Sequence, residues 1–177
     1  MENRKPNERV LETASELFKK QGFNSTGINQ ILKEAKVAKA SFYEHFVSKD
    51  LLAVRYLEER HKSWFAGLYE FAEKTDDPKE KIIQSFRYLQ FMNEKEDFSG
   101  CVFLNMLSEL KYGQAEAYQI IRNHKQDLRH FFDGIVRNEA VSLEIYLLFE
   151  ACLVESQVFR NQDIINNAIE IIKQKSF

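Results

Sequence analysis

The sequence predicts an all-α protein of about nine helices. Three observations predict it. Apolar residues recur at three- and four-residue spacing along nearly the whole chain, the pattern of helices that bury one face. Only two prolines and six glycines interrupt 177 residues, too few for a sandwich of short strands. No segment reads as a convincing strand, repeat or low-complexity tract. With 44% hydrophobic and 29% charged residues, the chain has the composition of a soluble globular protein able to bury a core.

Val10, Leu11, Ala14, Leu17 and Phe18 mark a first helix over residues 7–21. Gly22 follows as its stop, and Phe23 is placed to fold back on the last turn. Ile28, Ile31, Leu32 and Ala35 give the apolar face of a second helix, with Ser25 or Thr26 available as its cap. Val37 sits in the turn that follows. Phe42 and Phe46, four apart, are the inner side of a short third helix. Ser48 caps a long fourth helix reaching residue 74. Thr75-Asp76-Asp77-Pro78 is a stop and restart, with Asp77 as cap and Pro78 in the first helical position. A fifth helix over 78–93 carries Ile82, Ile83, Phe86, Leu89 and Phe91 inward. Residues 93–100 read as a polar loop. The remaining helices are expected over 101–111 (ending near Gly113), 114–138, 142–160 and 162–175.

Two short helices joined by a tight turn, spanning Thr26 to Leu51 with the start of the next helix, form a helix-turn-helix. Such a unit binds DNA because its second helix fits the major groove while the first braces it. With Phe42 and Phe46 inward, Lys39, Ala40, Ser41, Tyr43, Glu44 and His45 lie on the outer face or its flanks. Ala40 and Ser41 are small enough for close approach to base edges. Tyr43 can donate to a phosphate, and Lys39 can reach phosphate or guanine. Thr26 and Lys49 begin helices, where phosphate oxygens are attracted. Arg4 and Lys5 suit a flexible arm in the minor groove. Residues 1–50 carry a local charge of +2 and the remainder −4, a basic end on an acidic body.

The elements A-x-x-L-F-x-x-x-G-F at Ala14–Phe23, T-x-I-x-x-I-x-x-x-A at Thr26–Ala35, V-x-K-A-S-F-Y-x-x-F at Val37–Phe46 and S-K-D-L-L at Ser48–Leu52 resemble the TetR family of bacterial transcriptional regulators, without gaps. The resemblance implies a helix-turn-helix domain at residues 1–47 and a helical effector-binding and dimerisation domain at 48–177. It implies DNA contacts by Thr26, Lys39, Ala40, Ser41, Tyr43, His45 and Lys49. Three residues depart from the family pattern. Lys36 stands where glycine is usual, Ala38 where Ser or Thr caps the third helix, and Glu44 puts an anion on the reading helix.

The function expected is a DNA-binding transcriptional regulator, a repressor released from a palindromic operator by a small-molecule inducer. The last two helices carry more apolar positions than one face needs, which suits a homodimer closed through them. Trp64, Phe65, Phe86, Leu89, Cys101, Phe103, Leu107, Phe149 and Cys152, with Met106 and Phe131, are candidate walls of an effector pocket or simply core. Cys101 follows Ser99-Gly100 at a helix start, where a thiolate is favoured. With Leu104 and Ser108-Glu109-Leu110 it resembles an electrophile- and redox-responsive branch of the family, so thiol sensing is the alternative mode of release. Cys101 and Cys152 fit no zinc spacing, the four histidines have none either, and no catalytic set or phosphate loop is apparent. No metal, cofactor or enzymatic activity is therefore expected, although a helical-bundle enzyme or adaptor is the competing class. No run of about 18 apolar residues exists to span a membrane, and MENRKPNERV lacks the apolar core of a signal peptide. The cytoplasm is the expected location.

Overall fold

The computed structural model describes residues 4–111 and 114–175. Among them are nine helices and no strand: α1 (Pro6–Gln21), α2 (Ile28–Ala35), α3 (Lys39–His45), α4 (Lys49–Ala72), α5 (Pro78–Lys95), α6 (Val102–Glu109), α7 (Ala115–Ile135), α8 (Glu139–Phe159) and α9 (Asp163–Gln174). The ends follow from local chemistry. Asp77 accepts from the Lys79 amide at 3.1 Å and Pro78 opens α5, as the sequence predicts. Asn138, expected inside the seventh helix, instead accepts from the amides of Ala140 and Val141. It therefore starts α8 at Glu139, three residues early, and α7 ends at Ile135. α5 runs on to Lys95 and α4 stops at Ala72. The expected end of the sixth helix at Gly113 lies outside the described residues.

The chain forms two compact units. The first contains residues up to His61 together with Val102–Arg122, that is α1 to α3, the start of α4, α6 and the start of α7. Val10, Ala14, Ile31, Phe42 and Leu52 fill its centre. Phe18 meets Phe23 edge-on at 5.4 Å and Tyr56 at 5.5 Å, which is the fold-back expected of Phe23 after Gly22. Gly22 takes φ +85°, open to glycine at little cost.

The second unit contains Lys62–Cys101 with the chain from Asn123 onward. Its core is aromatic: Phe149 of α8 lies 5.2 Å from Phe86, 5.6 Å from Phe132 and 6.3 Å from Trp64. Phe91, expected inside, is 43% exposed. Two residues along a helix is about 200° of rotation, so once Leu89 faces inward Phe91 faces out. α8 buries Ile145, Tyr146, Phe149, Cys152 and Leu153 on one side. Leu143, Leu147, Val154 and Val158 stand exposed on another. No helix among the described residues is long and apolar enough to cross a membrane.

Candidate nucleic-acid interface

The turn between α2 and α3 is made by Lys36, which takes the left-handed conformation (φ 54°, ψ 48°) that the family usually assigns to glycine. Its neighbour Val37 donates back to Leu32 O at 3.0 Å and buries its side chain, plugging the angle between the helices. α3 then starts at Ala38, which has no side chain able to cap it. The helix is held from behind by Phe42, 1% exposed, and by Phe46, whose ring lies 5.5 Å from that of Phe42. Lys39, Ala40, Tyr43, Glu44 and His45 are exposed and Ser41 is half-buried. A seven-residue helix therefore presents one ammonium, one phenol, one imidazole, one carboxylate and a small patch on a single outward surface.

Two of the expected DNA contacts are turned inward. Thr26 is fully buried; its hydroxyl donates to Gly22 O at 2.7 Å and its amide to Phe23 O at 3.2 Å. It caps nothing, since α2 starts from Gly27 without a side-chain cap. Neither polar group of Thr26 is open to a phosphate in this conformation. Lys49 sends its Nζ to Phe23 O and Thr26 O, both at 3.0 Å, and lies 4.2 Å from the Phe23 ring centre. Burial pulls this ammonium below the usual lysine value, against the raising influence of Asp50 and Glu109. Its charge is spent on the 22–26 loop. The N-terminal arm is likewise drawn back: Arg4 pairs with Glu12 at 2.5 Å, and the Lys5 amide donates to Glu8.

The same loop is gripped by a residue that spacing alone gave no reason to select. Glu109, at the end of α6, accepts from the Phe23 amide at 3.1 Å and the Asn24 amide at 2.6 Å. Asn24 Nδ2 donates to the Glu109 carbonyl at 3.0 Å. Gly22 belongs to this contact, because a Cβ there would stand 2.7 Å from a Glu109 carboxylate oxygen. The loop that orients α2, and through it α3, is thus held by Lys49 through its carbonyls and by Glu109 through its amides.

The expected pocket walls separate into two groups. Trp64, Phe65, Phe86, Leu89, Phe149 and Cys152 belong to the second unit and are buried against one another and their neighbours. Trp64 and Phe65 also pack on His124, at 5.1 and 5.4 Å. Phe103 and Leu107 lie on α6 in the first unit, where Phe103 is buried and Leu107 is 36% exposed. Cys101 immediately precedes α6 and is buried. Lys125 Nζ lies 3.7 Å from its Sγ and 2.7 Å from both carboxylate oxygens of Glu150. Burial alone would lower the Lys125 ammonium, but Cys101 and Glu150 more than offset it, leaving it above the usual lysine value. Cys152 is different: burial pushes its thiol up to about 12.

Residues 10–56 match the model of the bacterial regulatory proteins of the tetR family. The chain is 36% identical over 70 residues to the HTH-type transcriptional regulator YuxN of Bacillus subtilis, covering 40% of this chain and 24% of that one. It is 29% identical over 106 residues to the HTH-type transcriptional repressor NemR of Escherichia coli, covering 58% and 53%. The matches therefore span about half or less of these curated relatives. Two solved structures share the fold over nearly the whole chain at 20% identity. Reduced E. coli NemR superposes with a TM-score of 0.79 over 96% of both chains. SCO4454, a TetR-family regulator of Streptomyces coelicolor, gives 0.85 over 95% and 92%. An N-terminal match on the residues that build the helix-turn-helix, and a shared all-helical fold behind it, lead to one conclusion: residues 10–56 form a domain of the tetR family of bacterial regulatory proteins, in a chain that has the fold of the solved TetR-family regulators.

Proposed function

We propose that this chain is a homodimeric transcriptional repressor that binds a palindromic operator through two copies of α3 and is released by a small-molecule inducer. The observation that carries this reading is α3 itself: a short helix locked from behind by Phe42 and Phe46, with Lys39, Ala40, Tyr43 and His45 outward and Ser41 at the edge. Residues 1–47 act as the DNA-binding domain and 48–177 as the effector-binding and dimerisation domain. The second copy packs on the last two helices, where Leu147 at 56% and Val158 at 65% exposure would otherwise meet water. In the dimer the two α3 helices stand one turn of DNA apart, about 34–36 Å, or a multiple of that. α4, unbroken from Lys49 to Ala72, is the lever by which an inducer changes that spacing and shifts the population away from the DNA-competent form.

The test is fluorescence anisotropy with DNA from upstream of the protein's own gene, over a range of salt. Lys39→Ala should weaken binding and lower the salt slope by about one phosphate contact. Tyr43→Phe should weaken it without changing the slope. If both variants bind as the wild type does, α3 is not the reading helix.

A second reading is favoured by the cluster at the start of α6, where Lys125 stands against the Cys101 sulfur and is fixed by Glu150. The contact sets a fixed cation against the one sulfur that opens α6, where an electrophile or oxidant would attack. On this reading release follows modification of Cys101. Operator affinity unchanged after complete alkylation of Cys101 would dismiss it.

A further inference from the structure

We propose that a cleft in the second unit, between the end of α4, the start of α5 and the last turns of α7, binds a planar hydroxy-aromatic acid. The cleft has a volume of about 270 Å³, near the lower end of the range for small-molecule sites, and suits a single ring with short substituents. It adjoins the aromatic cluster around Phe149, since its wall residue Phe131 packs on Phe132 at 5.2 Å, but Phe86, Phe132, Trp64 and Phe149 do not line it. That this ligand acts as the inducer rests on the regulatory reading above; that it binds does not.

The walls are aromatic. Tyr69 and Phe131 stand edge-to-face at 5.6 Å, and Phe131 is 8% exposed. A planar ring fits beside them. The rim is charged and mixed. Glu73 comes from the turn that follows α4, Lys81 from α5 and His130 from α7. Neither Glu73 nor Lys81 has an ion-pair or side-chain hydrogen-bond partner among the described residues. His130 faces Asp127 at 4.0 Å, one turn back on its own helix. A hydrocarbon would leave both free charges at the rim unanswered, and a simple carboxylate would face Glu73. A ring carrying a carboxylate for Lys81 and a hydroxyl that donates to Glu73 satisfies both.

Gly134 is the third observation. It lines the cleft, its φ is not in the left-handed region, and a Cβ built there meets nothing within 4 Å. No backbone requirement or steric neighbour asks for glycine in this last turn of α7, where most residues would favour the helix more. What glycine does there is leave the cleft open.

The experiment is a titration of the full-length protein with 4-hydroxybenzoate, followed by amide NMR, with benzoate and phenol as comparisons. Expected are saturable shifts at Tyr69, Phe131 and Gly134, tighter binding of 4-hydroxybenzoate than of either comparison compound, and at least tenfold weaker binding in Lys81→Met. Gly134→Leu should abolish binding while its melting temperature holds or rises, so a folding defect does not mimic the result. Failure of 4-hydroxybenzoate to saturate, or undiminished binding by Gly134→Leu, would overturn the site. In a parallel operator-binding assay, release by 4-hydroxybenzoate in the wild type and none in Gly134→Leu supports the inducer role. Binding at the cleft with unchanged operator affinity supports the site and overturns that role.

Discussion

Replacing Glu109 by alanine tests whether α6 holds the DNA-binding loop. The Glu109 carboxylate accepts two backbone amides, from Phe23 at 3.1 Å and Asn24 at 2.6 Å. Hydrogen bonds to a charged acceptor contribute roughly 1.5–3 kcal/mol when buried. The two are not equal here. Asn24 is exposed, so water replaces most of its lost bond, whereas Phe23 is 3% exposed and its amide has less access to solvent. The expected cost is about 2 kcal/mol, mostly from Phe23, or a fall in melting temperature of about 4–8 °C for a protein of this size. Glu109→Gln keeps one carbonyl acceptor and should lose about half as much. The sharper assay is amide exchange: a local opening easier by about 2 kcal/mol speeds exchange at Phe23 and Asn24 roughly 30-fold. Exchange at the core amide of Leu68, in the other unit, should change much less. If Glu109→Ala loses under about 0.5 kcal/mol and both loop amides keep their protection, the grip described here contributes nothing and the reasoning fails.

Lys36→Gly should stabilise the protein by about 0.5–1 kcal/mol, the reverse of the usual effect of glycine, because Lys36 sits at φ 54°; urea unfolding decides the sign. Leu147→Lys combined with Val158→Lys should yield a monomer in sedimentation at concentrations where the wild type is a dimer, with unchanged helical content, since both side chains are exposed in the protomer. The Cys152 thiol, pushed up to about 12, stays protonated in the folded state while the unfolded thiol ionises near 9.0. The folded state then holds the extra proton, so this group's contribution is lost as pH rises from about 9 toward 12. The effect amounts to about 1.4 kcal/mol by pH 10. Cys152→Ala should flatten that part of the stability–pH curve, and an unchanged slope would refute the assignment.

The existence and order of the nine helices among the described residues were legible from periodicity, because each buries one face and the same spacing repeats along it. So were the inward Phe42 and Phe46 and the outward Lys39, Tyr43 and His45, since in so short a helix the direction of each side chain follows from its neighbours. Lys36 and Ala38 were visible as departures from the family pattern, but only the structure shows that Lys36 turns left-handed and that α3 starts without a side-chain cap. Element ends were less legible. Asn138 offers a good cap whether it closes one helix or opens the next, and only packing chose the second.

The sequence by itself determined an all-helical chain with a helix-turn-helix near one end, because helical periodicity, caps and the order of short segments are local properties. It did not determine where Thr26 and Lys49 point, that Glu109 grips a loop 85 residues away, or that Lys125 and Glu150 meet beside Cys101. Nor did it reveal the cleft between α4, α5 and α7. Those facts depend on which distant segments become neighbours. A carboxylate reads the same in sequence whether water or two backbone amides satisfy it, and only the tertiary fold decides between them.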